Sequence, residues 1–214
     1  IMPSLVGSEM CIRDRNNMYR HFFKRLIDII LLIMVLPFVL LLIIIIGPII
    51  YFTDCGPIFY NAERIGYRGK RFKMFKLRSM YVNAPDLRNV DGSTYNSDND
   101  SRVTPVGRII RKTSIDELPQ FLNILFGDMS FVGPRPTIGA KPYSEYDELR
   151  KKRLEVRPGI TGYSQAFFRN SITQDEKYKY DCYYVDNVSF WMDIKVIFYT
   201  VYSVLCHKNI NGEQ

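Results

Sequence analysis

The sequence predicts a helix-rich α+β fold: an N-terminal re-entrant membrane helix-break-helix, a small β-hairpin, and amphipathic helices suited to a membrane interface. Three observations lead there. An uncharged run from Ile29 to Thr53 carries cations on both flanks. Short alternating segments surround a glycine-containing turn, Gly66 to Gly69. Later segments place apolar residues at helical spacing.

Composition sets the outer bounds. The chain has 214 residues, 47% of them apolar, enough for one ordinary domain and an appendage. Its formal net charge of +7 suits an anionic partner, whether nucleic acid, phosphate-rich substrate or anionic lipid. Cys11, Cys55, Cys182 and Cys206 show no C-x-x-C pairing, which argues against a zinc site or disulfide framework and fits a reducing compartment.

The elements follow in chain order. Residues 1–17, "IMPSLVGSEMCIRDRNN", have no clear periodicity and precede Met18; they read as a non-native leader outside the fold. Residues 18–53 form the membrane segment. As straight helix its uncharged run would span roughly 37 Å, enough to cross a bilayer core of about 30 Å, so a single span is one reading. Pro37 near its middle removes a backbone hydrogen bond and displaces the carbonyl of Ile33. The flanks also agree in sign: Arg20, His21, Lys24 and Arg25 precede the run; Arg64, Arg68, Lys70, Arg71, Lys73, Lys76 and Arg78 follow it. Positive flanks favour the cytoplasmic face, and one crossing cannot put both there. A helix that enters, breaks at Pro37 and returns to the same face satisfies both facts, and charge logic favours it. Asp28 at the membrane edge needs a partner, for which Lys24 or Arg25 is available.

Residues 54–209 form one further domain, and 210–214 a tail. Strands are expected near Ile58–Ala62 and Phe72–Leu77. "NVDGSTYNSDNDSR" is a polar loop and "TPVGRIIRKT" a short basic helix. "DELPQFLNILFG" has Leu118, Phe121, Leu122, Leu125 and Phe126 at helical spacing, with Gly127 as C-cap. "FVGPRP" is extended or turned, and "KPYSEYDELRKKRLEV" is a charged helix ended by "RPG". "NVSFWMDIKVIFYTVYSVLCHK" puts Phe190, Trp191, Ile194, Ile197, Phe198, Val201, Val204 and Leu205 largely on one side; it is a core helix or one lying in the membrane interface.

Chemistry concentrates at "TSIDELPQ". If Ser114 is an N-cap, Glu117 stands at N3 of a capping box, and Asp116 is a first-turn acid placed by the helix dipole. The other reading is catalytic. Acids at a positive helix end stay ionised near neutral pH, an ionised Asp can attack phosphorus, and a second carboxylate helps recruit Mg²⁺. Local pattern alone leaves both open. Cations surround the pair in sequence: Lys76, Arg78, Arg108, Arg111, Arg135, Arg157 and Arg169. Each alone reads as a solvated charge, although Pro134 and Pro136 restrict the backbone of Arg135, and a fixed guanidinium suits phosphate oxygens. His21 and His207 have no metal-ligand spacing, and no Walker loop, G-x-S-x-G or nucleic-acid motif is found.

Several long motifs, in order, resemble the monotopic phosphoglycosyl transferases, also called the bacterial sugar transferase family. They are "KRLIDI", "GPIFYNAERIGYRGKRFKMFKLRSM", "VGRIIRKTSIDELPQFLNILFGDMSFVGPRP", "RPGITGYSQ" and "YDCYYVDNVSFWMDIK", spread from Met18 to about Lys208. The length is similar to the small single-domain members. The resemblance implies a re-entrant anchor in the bacterial inner membrane with a cytoplasmic catalytic domain. It implies transfer of a phospho-sugar from a UDP-sugar to a polyprenol (undecaprenyl) phosphate with release of UMP, the first membrane step of polysaccharide or glycoconjugate assembly. By the same resemblance, Asp116 is the nucleophile of a covalent phospho-sugar intermediate, Glu117 the second acid, and Mg²⁺ is bound at the pair. Lys76, Arg78, Arg108, Arg111, Arg135, Arg157, Gln165 and Arg169 are then phosphate or nucleotide contacts. One departure stands out: many members carry Ser-Pro at the membrane break, and this chain carries Leu36-Pro37.

Overall fold

The computed structural model describes residues 18–85, 87, 97, 100–139, 142–169 and 171–206. The leader, the tail and most of the polar loop lie outside the described residues.

A π-helical turn, Tyr19–Phe23, leads into α1, Lys24–Asp54. The hairpin strands are β1, Phe59–Ile65, and β2, Arg71–Leu77. Their turn contains Arg68 at φ 52° and Gly69 at φ 79°. Then come α2, Pro105–Lys112; a 3₁₀ turn, Ile115–Glu117; α3, Gln120–Phe126; and β3, Ser130–Val132. The rest is α4, Glu148–Arg153; β4, Gly159–Thr161; α5, Tyr163–Phe167; α6, Gln174–Asp186; and α7, Phe190–Leu205. The charged segment expected as a longer helix is a 3₁₀ turn, Tyr143–Glu145, and the six-residue α4, started by the Asp147 side chain accepting from Arg150 N–H.

These elements form two compact units. One holds the described residues up to Ile33, Glu63–Phe72 and those from Asn123 onward; the other holds Met34–Ala62 and the described part of Lys73–Leu122.

In the first unit β3 and β4 pair in parallel, Ser130 opposite Gly159 and Val132 opposite Thr161. Val132, Val156, Ala166, Tyr184, Val185, Val188 and Val196 pack around them with Tyr19. The backbones of "GPRP" and "RPGITG" meet so closely that side chains are excluded. A Cβ on Gly133 would stand 2.3 Å from the Arg157 carbonyl oxygen, and one on Gly159 2.1 Å from Gly133 N. Asp193 is buried and satisfied by three donors: Tyr19 Oη at 2.7 Å, Tyr184 Oη at 2.6 Å and Lys24 Nζ at 2.5 Å. Asp28 therefore does not take Lys24 or Arg25 as its hydrogen-bond partner. It accepts from Ser130 Oγ and Phe131 N–H, both at 3.1 Å.

In the second unit Ile50, Leu77 and Ile110 form the core, with Ile58, Val106 and Ile115 against it. Thr104 caps α2 by accepting from Gly107 N–H at 2.8 Å, with Pro105 in the first turn. Gly107 lets α2 approach the end of β2, since a Cβ there would stand 1.9 Å from the Ser79 carbonyl oxygen.

α1 is described as one helix from Lys24 to Asp54 with Pro37 and Pro48 inside it. Among the described residues it is the one helix long and apolar enough to cross a bilayer. Ile33, Phe38, Ile44 and Phe52 are each at least 66% exposed. So much uncovered apolar surface marks contact with lipid or another apolar partner. On α7, Asp193, Val196 and Ser203 face inward, while Phe190, Trp191, Ile194, Phe198 and Val201 are exposed. Most of the described part of its apolar stripe therefore lies outside the core, while Ile197 packs against it.

Candidate active site

The acidic pair is delivered by a turn. α2 ends at Lys112, Ser114 adopts a left-handed backbone at φ 57°, and the 3₁₀ turn begins at Ile115. Ile115 packs on the Leu77 and Ile110 cluster, which anchors the turn beside β2. Ser114 makes no capping bond with its side chain, so the capping-box reading of Glu117, one of the two that the local pattern left open, does not hold. Pro119 stands just before α3, where its missing N–H costs nothing.

Glu117 turns instead to β2, where Lys76 Nζ donates to its Oε1 at 2.8 Å. The same ammonium lies 4.0 Å from Asp116 Oδ2. All three side chains are largely covered, at 19% exposure for Lys76, 13% for Asp116 and 20% for Glu117. Arg111, in the last turn of α2, donates from Nε to Ser79 Oγ at 2.7 Å and attracts the Asp116 charge.

Burial pushes the Asp116 carboxyl above its usual range, and adjacent Glu117 adds to the rise, while Lys76 and Arg111 oppose it. The expectation that a helix end simply keeps both acids ionised omits this desolvation. The result is a poorly hydrated carboxylate held among cations, the environment of a nucleophile or metal ligand. The pair offers hard oxygen ligands suited to Mg²⁺. Among the described residues no group of three or more acids, histidines or cysteines is placed to hold a metal. A divalent ion here would complete its shell with water and substrate phosphate oxygens, its usual habit.

Not every expected cation joins this cluster. Arg78 makes a bidentate pair with Asp54 at 2.5 and 2.6 Å and donates to the Pro57 carbonyl. That ties the end of α1 to the hairpin. Arg108 is exposed on α2. Arg135, Arg157, Gln165 and Arg169 belong to the first unit, on segments around β3 and β4. Arg135 is exposed and its carbonyl accepts from Arg153 at 3.1 Å. Arg157 donates to the Gly127 carbonyl at 2.9 Å and stands over the Tyr67 ring. Gln165 Oε1 is buried without a hydrogen bond among the described residues, and Arg169 is left-handed at φ 48°. Sequence reasoning missed Ser79 beside Arg111, Asp54 beside Arg78, and the buried Asp100–Arg102 pair, joined at 2.7 Å, whose charges reach Arg111. These partners carry no periodic or spacing signal.

The sequence that builds this turn and the long apolar helix has relatives among known proteins. Residues 19–207 match the bacterial sugar transferase family. The galactosyl transferase CpsE of Streptococcus agalactiae serotype III (strain NEM316) is 43% identical over 160 residues, covering 71% of this chain and 35% of CpsE. The uncharacterized sugar transferase EpsL of Bacillus subtilis (strain 168) is 40% identical over 187 residues, covering 87% of this chain and 89% of EpsL. The undecaprenyl-phosphate galactose phosphotransferase of Salmonella typhimurium (strain LT2) is 37% identical over 216 residues, covering 92% of this chain and 44% of that protein. This chain belongs to the bacterial sugar transferase family. It spans less than half the length of CpsE and of the Salmonella protein, and most of EpsL.

Proposed function

We propose that this protein moves a sugar 1-phosphate from a UDP-sugar to undecaprenyl phosphate or a similar polyprenol phosphate, releasing UMP. The observation that carries the reading is the covered Asp116–Glu117 pair beside Lys76 and Arg111. Relatives named for undecaprenyl-phosphate sugar transfer support it.

In the proposed reaction an Asp116 carboxylate oxygen attacks the sugar-bearing phosphorus. The bond from that phosphorus to the bridging oxygen breaks, and UMP leaves with the electron pair. A phosphate oxygen of the polyprenol phosphate then attacks the same phosphorus and returns Asp116 as a carboxylate. Lys76 and Arg111 offset charge that accumulates when polyanions meet, and the low exposure of Lys76 and the two acids strengthens the effect. Glu117 holds Lys76 in place. Mg²⁺ bound by the two acids would supply further charge neutralisation on the phosphate oxygens.

We further propose that α1 is the re-entrant anchor, entering and leaving on the cytoplasmic face of the inner membrane. Its uncovered apolar surface, Pro37 and the cations on both flanks support this. The exposed aromatic side of α7 suits the same interface. The test is UMP release from purified protein given a UDP-sugar, a polyprenyl phosphate and Mg²⁺. Release that vanishes with Asp116→Asn supports the reading; no release from any UDP-sugar in a broad panel overturns it.

A further inference from the structure

A second group of cations lies in the first unit, where the chain enters α1. A cleft there is lined by Arg20, Lys24, Arg25, Tyr67, Ser130 and Arg157. Two acids, Asp28 and Glu155, share it. Most of these charges are already matched. Lys24 is spent on buried Asp193, Arg20 reaches Glu155 at 3.5 Å, and Asp28 is bonded by Ser130 and Phe131.

Arg25 and Arg157 remain, two cations against the single charge of Asp28, whose hydrogen-bond donors are neutral and which attracts Arg25. Both reach carbonyls at the end of α3: Arg25 donates to Ile124 at 2.7 Å and Leu125 at 3.2 Å, Arg157 to Gly127 at 2.9 Å. Those bonds use two N–H groups of Arg25 and one of Arg157, and a guanidinium has five. The two positive groups repel each other across the cleft. Carbonyl dipoles and Asp28 offset this in part; an anion placed between the forks would offset it further and take remaining N–H groups bidentately.

We propose that the cleft between Arg25 and Arg157 holds the phosphate group of a membrane lipid. Its position selects a lipid. Arg25 stands four residues before the uncharged run, and Phe22, Leu26 and Ile30 beside it are 65%, 47% and 50% exposed. A phosphate in the cleft can therefore carry its chain along the start of α1. The chemistry recognised is a phosphate ester on an apolar tail, shared by anionic phospholipids and polyprenyl phosphates. The inference rests on the reading of α1 as membrane-embedded and not on the covalent route through Asp116.

The test uses the full chain carrying Asp116→Asn, so that turnover contributes nothing, in neutral detergent. Its thermal unfolding is followed against phosphatidylglycerol, farnesyl phosphate and inorganic phosphate. Either lipid should raise the unfolding temperature, and inorganic phosphate at equal concentration should not. The lipid affinity should fall about tenfold or more in Arg25→Lys and Arg157→Lys, which keep charge and carbonyl contact but lose the fork. It should stay unchanged in Lys112→Gln, an exposed cation elsewhere. A rise with farnesyl phosphate but not phosphatidylglycerol also supports the cleft, and names the lipid as a phosphate monoester. No rise with either lipid, an equal rise with inorganic phosphate, or unchanged lipid affinity in both lysine variants overturns the proposal.

Discussion

Lys76 Nζ is shared between the two acids, donating to Glu117 at 2.8 Å and standing 4.0 Å from Asp116. β2 thus supplies the counter-charge for a pair presented 40 residues later in the chain. Replacing Lys76 by Met should cut turnover about a hundredfold. It should also move the acid limb of the pH–rate profile upward, because Lys76 opposes the rise that burial imposes on Asp116. A profile unchanged in position would separate Lys76 from Asp116.

The raised Asp116 carboxyl has a consequence for stability. A folded-state value above the unfolded one means that the stabilising balance is present at low pH and lost as pH rises through the folded value. Asp116→Asn should therefore abolish turnover and raise the unfolding temperature at neutral pH, with the gain shrinking in acid. Thermal unfolding at two pH values measures it.

Ser79 positions Arg111. Ser79→Ala removes the acceptor of Arg111 Nε and should lower kcat more than it raises KM, with the pH profile shifted in the same direction as in Lys76→Met. Ser79→Thr keeps the hydroxyl and should restore most of the loss.

The glycines of "GPRP" and "RPGITG" are packing requirements. Gly133→Ala or Gly159→Ala would drive a methyl into backbone at 2.3 and 2.1 Å respectively. Each should cost about 3 kcal/mol or more, read by chemical denaturation.

Trp191 is the sole tryptophan and is 76% exposed on α7. In vesicles carrying bromine near the headgroups its fluorescence should be strongly quenched, and in vesicles brominated at the chain ends only weakly. The reverse order would place α7 deep in the bilayer; no quenching would place it in water.

Two similar motifs show how far local pattern carries. Ser114–Glu117 and Thr173–Glu176 both have the capping-box pattern. Thr173 and Glu176 form the box, because α6 starts there with ordinary backbone. Ser114 does not, because α2 ends two residues earlier, at Lys112, and the chain must reverse through a left-handed residue. The acids were legible as a charged pair next to a proline; the bend that frees them from capping was not. The hairpin and the α3 C-cap at Gly127, φ 85°, were legible from turn residues. β3 and β4 were not, because three-residue strands carry no periodicity. Along α3, Asn123 and Ile124 are fully buried while Leu125 and Phe126 are exposed, since tertiary contacts chose a face that spacing alone did not. The partners of Asp28 and Arg78 lie 102 and 24 residues away and leave no local trace.

The central claim is that Asp116 takes up the phospho-sugar. Intact-mass measurement of the purified chain, incubated with a UDP-sugar and Mg²⁺ and no lipid acceptor, tests it most directly. The account predicts a mass increase of one sugar phosphate, located by fragmentation on Asp116, absent from Asp116→Asn, and removed when polyprenyl phosphate is added. An unmodified chain that still releases UMP once the acceptor is supplied would contradict it and leave Asp116 as a metal ligand or base in a direct transfer.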